Sequence, residues 1–120
     1  MKIFVFGSNR EGRHGKGAAL DALQNHGAIY GQAEGLQGQS YAVVTKELRR
    51  GLPPVTLENI ADGVQRLLEF AANHPDWMFQ VTALGCGLAG FSPAQIAPLF
   101  RDAGENVRLP KVFVDVLRDE

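Results

Sequence analysis

The order of hydrophobic and polar positions predicts a chain of alternating strands and helices. Residues 3–6 form a continuous apolar run that ends at a glycine, a pattern typical of a strand buried on both faces. Residues 40–45, 78–84 and 112–117 predict three further strands, and 78–84 is expected to lie at the centre of the sheet. Strands separated by helices form a mostly parallel sheet that is covered on both faces, so the expected fold class is α/β.

Three helices are predicted between these strands. The first begins at residue 15 or 16 and ends at Gly27, which suits the left-handed position after a helix. The second is capped by Thr56 and carries apolar residues at the helical period. The third begins at Ser92-Pro93-Ala94-Gln95, a capping box with proline at the first helical position. The glycine- and amide-rich segment 35–41 predicts either a lid or a plain connector.

Length and composition fit one globular domain. The chain has 120 residues, of which 45% are hydrophobic and 21% charged, and no repeat or linker divides it, so we expect a single domain over residues 1–120. Its apolar runs are too short for a transmembrane helix, and its N-terminus does not resemble a secretory signal. The single cysteine, Cys86, cannot form an internal disulfide, which predicts a cytoplasmic protein.

The glycines cluster in two loops that follow predicted strands. One cluster lies in residues 7–17, after the first strand, and the other in 85–90, after the third. Because the carboxyl ends of parallel strands meet at one edge of a sheet, we expect the two loops to converge there. Glycines let main-chain N–H groups approach an anion closely, and the start of a following helix favours negative charge. The loops therefore predict two anion cradles, with tight structural turns as the alternative.

Neither loop matches an established nucleotide motif. Residues 85–90 have the letters G-x-G-x-x-G, but the capping box at Ser92 places the helix start beyond these glycines. Gly7 and Gly12 have the spacing of a P-loop, but no hydroxyl residue follows the lysine. Residues 1–50 carry seven Lys and Arg against four acids, a surplus that suits a phosphate-bearing ligand but is too small for a nucleic-acid platform.

Both loops resemble the ligand loops of macro domains. Residues 82–91, Thr-Ala-Leu-Gly-Cys-Gly-Leu-Ala-Gly-Phe, look like the family's second loop, a glycine-rich turn that ends in Gly-aromatic before a helix. Asn9 and the glycines and alanines that follow it look like the first loop. The whole chain also resembles short macro-like proteins of phages and bacteria, in runs such as Phe-Gly-Ser-Asn at 6–9 and His-Gly-Lys-Gly-Ala-Ala at 14–19.

The resemblance implies a three-layer α/β/α fold, with a mostly parallel sheet, that binds ADP-ribose or a related nucleotide diphosphate. Some family members hydrolyse ADP-ribosyl bonds and others only bind, so both activities stay open, and the partner is a free nucleotide or an ADP-ribosylated macromolecule. The family commonly reads the adenine amino group with an Asp-Ile pair that has no counterpart in this chain. The expected ligand-binding residues are Gly7, Ser8, Gly15, Lys16, Gly17, Lys46, Gly85, Cys86, Gly87, Leu88, Ala89, Gly90 and Phe91.

Three side chains are candidates for catalysis. Asn9 would orient the substrate near the distal ribose, as the resemblance implies, and its alternative is a turn residue at a strand end. His14 has the right chemistry for a general acid or base, and its alternative is a plain loop histidine. Asp21 would activate water if it faced the cleft, and its alternative is a carboxylate on the helix surface.

Two other hypotheses compete with the nucleotide-binding one. Cys86 lies near a helix N-terminus, a setting that lowers the pKa of a thiol, and with His14 as base it would serve a small-molecule hydrolase. The alternative for Cys86 is a small buried residue in a glycine turn. The other hypothesis is a non-catalytic protein that binds a different nucleotide signal. The histidines and the cysteine lack metal-ligand spacing, so neither zinc nor another cofactor is predicted.

Overall fold

The computed structural model describes residues 1–120, and a five-stranded sheet runs through its centre. The strands are β1 (Lys2–Asn9), β2 (Gly35–Gln37), β3 (Ser40–Lys46), β4 (Met78–Val81) and β5 (Val107–Arg108), in the spatial order β2-β3-β1-β4-β5. β1 pairs in parallel with β3 and β4, β4 pairs in parallel with β5, and β2 runs antiparallel to β3. The sheet is therefore mixed, and its middle strand is β1 rather than the segment 78–84.

The helices are α1 (Gly17–Asn25), α2 (Leu57–Ala72), α3 (Pro93–Ile96), which continues as a 3₁₀ turn (Ala97–Phe100), and α4 (Lys111–Arg118). The predicted caps of the second and third helices are confirmed. The Thr56 hydroxyl accepts the Asn59 N–H at 3.1 Å, and the Ser92 hydroxyl accepts the Gln95 N–H at 3.3 Å, each within a complete capping box. None of the helices is both long and apolar enough to span a membrane.

The strand predicted over residues 112–117 is wrong, because this segment lies inside α4. Its valines favoured a strand, but Phe113 is fully buried and Val116 and Leu117 pack against the same core, three and four residues along one helical face. The last strand is instead the two-residue β5, in which Val107 pairs with Phe79 of β4. Tertiary packing on one side of α4 therefore decides its conformation.

The segment 35–41 forms a hairpin rather than a free lid, since β2 pairs with the start of β3. Gly38 lies in the turn with φ +61°, and a Cβ built on it would lie 2.5 Å from the Gly27 carbonyl oxygen. Only glycine fits there, because another residue would be both strained and in collision with the chain after α1. The hairpin is thereby fixed against the end of α1.

Alternate residues of the sheet bury two separate hydrophobic clusters. Phe6 and its register partner Ala42 pack with Ala19 and Ala22 of α1 on one face. Val5 and Tyr41 belong to the larger cluster on the other face, which includes α2 residues such as Ile60, Val64 and Leu67. Both faces of β1 are therefore covered by helices, which leaves the ends of the strands as the place where loops meet.

The carboxyl ends of the central strands lie side by side. Asn9 at the end of β1 pairs with Lys46 at the end of β3, just after an irregularity in the register. β4 ends earlier than expected, at Val81. The next residue, Thr82, donates two hydrogen bonds to the Val5 carbonyl of β1, from its N–H at 3.0 Å and from its hydroxyl at 2.8 Å. Residues 82–84 are consequently loop and lie at the same edge as the first glycine loop.

Candidate functional site

A cleft with a volume of about 740 Å³ opens at this edge of the sheet. Its walls are the ends of β1 and β3, the start of α1 and both glycine loops. The volume falls in the range of small-molecule sites in proteins. The structure thus brings the two glycine loops together at one cavity.

Most of the expected ligand-binding residues line this cleft, and three do not. The residues in its walls are Gly7, Ser8, Gly15, Lys16, Gly17, Lys46, Gly85, Gly87, Leu88 and Ala89. Cys86, Gly90 and Phe91 lie outside the lining, and Phe91 packs against the main hydrophobic core instead. The second loop therefore presents Gly85 and its 87–89 stretch to the cleft and turns its C-terminal end away.

The cleft also has walls that sequence reasoning missed. Residues 82–84 line it because β4 ends at Val81, which leaves them outside the strand. Arg13 is a further cation of the first loop, and its basic charge was the available signal. Leu48, two residues beyond β3, gave no signal, since an isolated apolar residue after a strand is common. Thr45 lines the cleft beside Lys46, and the other missed wall residues are Ala18 and Ala19.

The first part of the glycine loop is held rigidly by Asn9. Its side-chain amide donates to the Arg13 carbonyl at 2.8 Å, and its side-chain oxygen accepts the Arg13 N–H at 2.9 Å. Gly12 has φ +69°, and a Cβ there would lie 2.5 Å from the Gly31 main chain, so this turn requires glycine. Asn9 lines the cleft, but both of its polar groups serve the loop.

The second part of this loop exposes main-chain N–H groups. Lys16 is the N-cap of α1 without a side-chain hydrogen bond, and the first N–H with an internal partner is that of Leu20, at 3.2 Å from the Lys16 carbonyl. The N–H groups of residues 15–19 have no partner within the protein. A Cβ built on Gly15 or Gly17 would meet nothing within 4 Å. The positive end of the α1 dipole therefore points at open space.

The second loop offers a similar surface. The N–H groups of Gly87, Leu88 and Ala89 make no hydrogen bond within the protein, and a Cβ on Gly87 would meet nothing within 4 Å. The turn is closed around them by the Gly90 N–H, which donates to the Gly87 carbonyl at 3.0 Å. Gly85 has φ +79° and lies against Ile96, so it packs the loop onto α3. Unpaired donors thus line the cleft from two sides.

The charged side chains of the cleft are all cations. They belong to Arg13, Lys16 and Lys46, and no carboxylate lies among the lining residues. Lys46 reaches across to the second loop, where its ammonium donates to the Leu88 carbonyl at 3.0 Å. Arg13 pairs with Glu11 outside the cleft at 3.0 Å. The cations and the partial positive charges of the unpaired N–H groups together make the electrostatic potential in the cavity positive.

His14 is buried away from the cleft. It is fully buried, its ring lies edge-on to Phe6 at 5.2 Å, and its Nε2 is 3.0 Å from Gln37 Oε1. Gln37 Oε1 also accepts the Ile29 N–H at 2.8 Å, so His14 Nε2 carries the proton and donates it. Its Nδ1 has no partner within the protein. The ring supports the loop from beneath instead of facing the cavity.

Asp21 and Cys86 are also placed outside the cleft. Asp21 lies on the exposed side of α1 and accepts a hydrogen bond from the Asn25 amide at 2.6 Å. Cys86 Sγ is 3.7 Å from the Leu84 carbonyl, and burial raises the pKa of its thiol, so the expected lowering is wrong. No group of three or more His, Cys, Asp or Glu side chains is placed to hold a metal ion.

Several solved structures share the fold of this chain. A protein of unknown function from Bacteroides thetaiotaomicron superposes with a TM-score of 0.62 at 17% identity, over 90% of this chain and 85% of that one. A second protein from the same organism gives 0.58 at 16% identity, over 90% and 87%. A macrodomain protein from Streptomyces coelicolor gives 0.56 at 19% identity, over 90% and 86%. No family model and no curated protein matches the chain. At these identities the similarity is one of fold.

Proposed function

We propose that this chain is a macro-like α/β/α domain that binds ADP-ribose or a related nucleoside diphosphate in the cleft between its glycine loops. One observation carries the proposal: two separate runs of unpaired main-chain N–H groups, 15–19 and 87–89, belong to residues that line the same cavity. Unpaired amides at a helix start and in a glycine turn are suited to phosphate oxygens. The similarity of fold to a macrodomain protein supports the macro-like part of the proposal.

The charges of the cleft support a ligand with more than one phosphate. Arg13, Lys16 and Lys46 supply three cations, and the two runs of N–H groups supply two places for acceptor oxygens. A diphosphate bridges two such places, with one phosphate at the start of α1 and the other at the second loop. The remaining volume accommodates the sugar and base that flank the diphosphate.

Binding without hydrolysis is the form of the proposal that the geometry favours. Asn9 uses both polar groups on the Arg13 main chain, and His14 and Asp21 lie outside the cleft. None of these side chains is placed to activate water on a ligand in the cavity. The cysteine-dependent alternative is disfavoured, because burial raises the Cys86 thiol pKa and the cleft lining excludes it.

Titration calorimetry with ADP-ribose tests the proposal. We expect saturable binding by the wild-type chain and a loss of about tenfold or more in Gly87→Val, because the added side chain fills the space beside the unpaired amides. Ala72→Val, at an exposed position at the end of α2, introduces the same side chain outside the cleft and is expected to bind normally. Absence of heat at millimolar ADP-ribose would refute the proposal.

A turnover assay separates binding from hydrolysis. The wild-type chain is incubated with an ADP-ribosylated protein and, separately, with an ADP-ribosylated nucleic acid, and released ADP-ribose is measured by mass spectrometry. We expect retention of the modified macromolecule without release. If the wild-type chain releases ADP-ribose and Asn9→Ala does not, the chain is instead a hydrolase.

A further inference from the structure

The neutral polar side chains of the cleft are already used by the protein. The hydroxyl groups of Ser8, Thr45 and Thr82 each donate to a main-chain carbonyl of the chain itself, those of Thr45 and Thr82 at 3.2 and 2.8 Å. The Asn9 amide is bonded in both directions to the main chain of Arg13. The three hydroxyl protons are therefore unavailable to a ligand, and the Asn9 amide is held in place by the loop.

The side chains that remain for a ligand are cationic donors. The ammonium groups of Lys16 and Lys46 and the guanidinium of Arg13 donate hydrogen bonds and accept none. Together with the unpaired main-chain N–H groups of 15–19 and 87–89 they make the cavity a surface of donors. Such a surface recognises the acceptor oxygens of phosphate, and no carboxylate lies in the lining to accept the amino group of a base.

Two exposed leucines form an aliphatic rim of the cleft. Leu48 and Leu88 both line the cavity and are 42% and 70% exposed, so each offers apolar surface to a ligand. They lie on one side, because Lys46, two residues before Leu48, contacts the Leu88 carbonyl at 3.0 Å. The α1 start, with Lys16 at its cap, forms another wall of the cavity. The cleft therefore combines cationic donors with exposed aliphatic surface.

We infer that the cleft selects its ligand by the phosphates and accepts purine and pyrimidine nucleoside diphosphates alike. The inference rests on the proposed function and names the specificity of the same site. A planar base on Leu48 and Leu88 is held by dispersion and by burial of apolar surface, neither of which depends on the pattern of its amino and carbonyl groups. Strong discrimination between similar groups requires hydrogen bonds that only the correct one satisfies. Affinities for the different bases should therefore differ by less than about tenfold.

Calorimetry at one fixed ionic strength with ADP, GDP, UDP, CDP and inorganic pyrophosphate tests the inference. We expect the four nucleotides to bind within about tenfold of one another, and pyrophosphate to bind about tenfold more weakly because it leaves the aliphatic rim empty. If ADP binds more than about tenfold tighter than UDP, the inference is wrong and the proposed function stands. If none of the nucleotides, pyrophosphate or ADP-ribose binds, the proposed function itself is wrong.

Variants of the aliphatic rim test its assignment. Leu48→Ser and Leu88→Ser change exposed side chains, so the fold should be retained. Each is expected to weaken ADP and UDP by the same factor, about threefold to tenfold, and to weaken pyrophosphate by a smaller factor. Val112→Ser, at a similarly exposed site on α4 that does not line the cleft, is the matched control. Unchanged nucleotide affinity in both leucine variants, or a loss for ADP alone, would overturn the inference.

Discussion

The imidazole Nε2 of His14 donates to the side-chain oxygen of Gln37 at 3.0 Å, and both side chains are almost completely buried. The same Gln37 oxygen accepts the Ile29 N–H at 2.8 Å, and its amide nitrogen donates to the Gln32 carbonyl at 3.2 Å. The contact therefore joins the first glycine loop, the segment after α1 and the β2 hairpin. A loop with many glycines is costly to order, and this network fixes it from below.

Replacement of Gln37 should destabilise the whole chain. Gln37→Ala leaves the Ile29 N–H and the His14 Nε2 proton without their shared acceptor, and we expect a loss of about 2–4 kcal/mol in the free energy of unfolding. Urea unfolding followed by circular dichroism measures it. Gln24→Ala, on the exposed side of α1, is the matched control and should change stability by less than about 0.5 kcal/mol. Equal stability of the two variants would contradict a structural role for the Gln37 network.

Local signals in the sequence predicted the helix starts well. The cap at Thr56 and the capping box of Ser92 and Gln95 are local, so their letters are sufficient to identify them, whereas Asn59 lies outside the usual Glu or Gln pattern. The α4 segment failed because its valines favour strands, while its conformation depends on Phe113 packing against a distant core. β2 was missed because three residues at a sheet edge carry too little pattern.

In the site, too, the features with a local sequence signal were predicted, and those that depend on other contacts were not. Both glycine loops were identified, because glycine clusters after strands are visible in the sequence and parallel strands end at one edge. The burial of His14 was not foreseen, since it depends on Gln37, which lies 23 residues further along the chain. The hydrogen bonds between the Asn9 side chain and the Arg13 main chain are local, but they depend on the conformation of the whole loop, which the residue types do not specify.

The lysine at the cap of α1 should contribute to affinity, and the acid on the same helix should not. Lys16→Ala removes a cleft cation beside unpaired N–H groups, so we expect ADP-ribose to bind about tenfold more weakly at low salt. Asp21→Asn changes an exposed side chain outside the cleft and should leave affinity within about twofold. Calorimetry at two ionic strengths measures both. A larger loss in Asp21→Asn than in Lys16→Ala would argue for a ligand position on the other side of α1.

The contact of Lys46 with the Leu88 carbonyl should order the second loop. Lys46→Met keeps most of the aliphatic stem but removes the ammonium, so the Leu88 carbonyl loses its hydrogen bond to β3. We expect faster hydrogen exchange at these amides and ADP-ribose affinity reduced about threefold to tenfold. Lys2→Met, at the amino end of β1 and away from the carboxyl strand ends that form the cleft, is the control. Unchanged exchange in Lys46→Met would show that the loop holds its shape without this contact.

The Cys86 thiol should be unreactive near neutral pH. Burial raises its pKa, so the neutral thiol predominates at pH 7 and the nucleophilic thiolate is scarcer than in a free cysteine. We expect iodoacetamide to modify Cys86 at pH 7 more slowly than it modifies the thiol of glutathione. The rate of modification of Cys86 should still rise above about pH 8.5, where an ordinary thiol is half ionised. In the unfolded chain the Cys86 thiol has its ordinary pKa, which is lower than the pKa in the folded chain. The stability that Cys86 contributes is therefore complete below the unfolded pKa and is lost as the pH rises through the raised value. Mass spectrometry of the alkylated chain between pH 6 and 10 gives the profile, with urea-unfolded protein as the reference. Modification that is faster in the folded than in the unfolded chain at pH 7 would mean that the loop activates the thiol, and the hydrolase hypothesis would regain support.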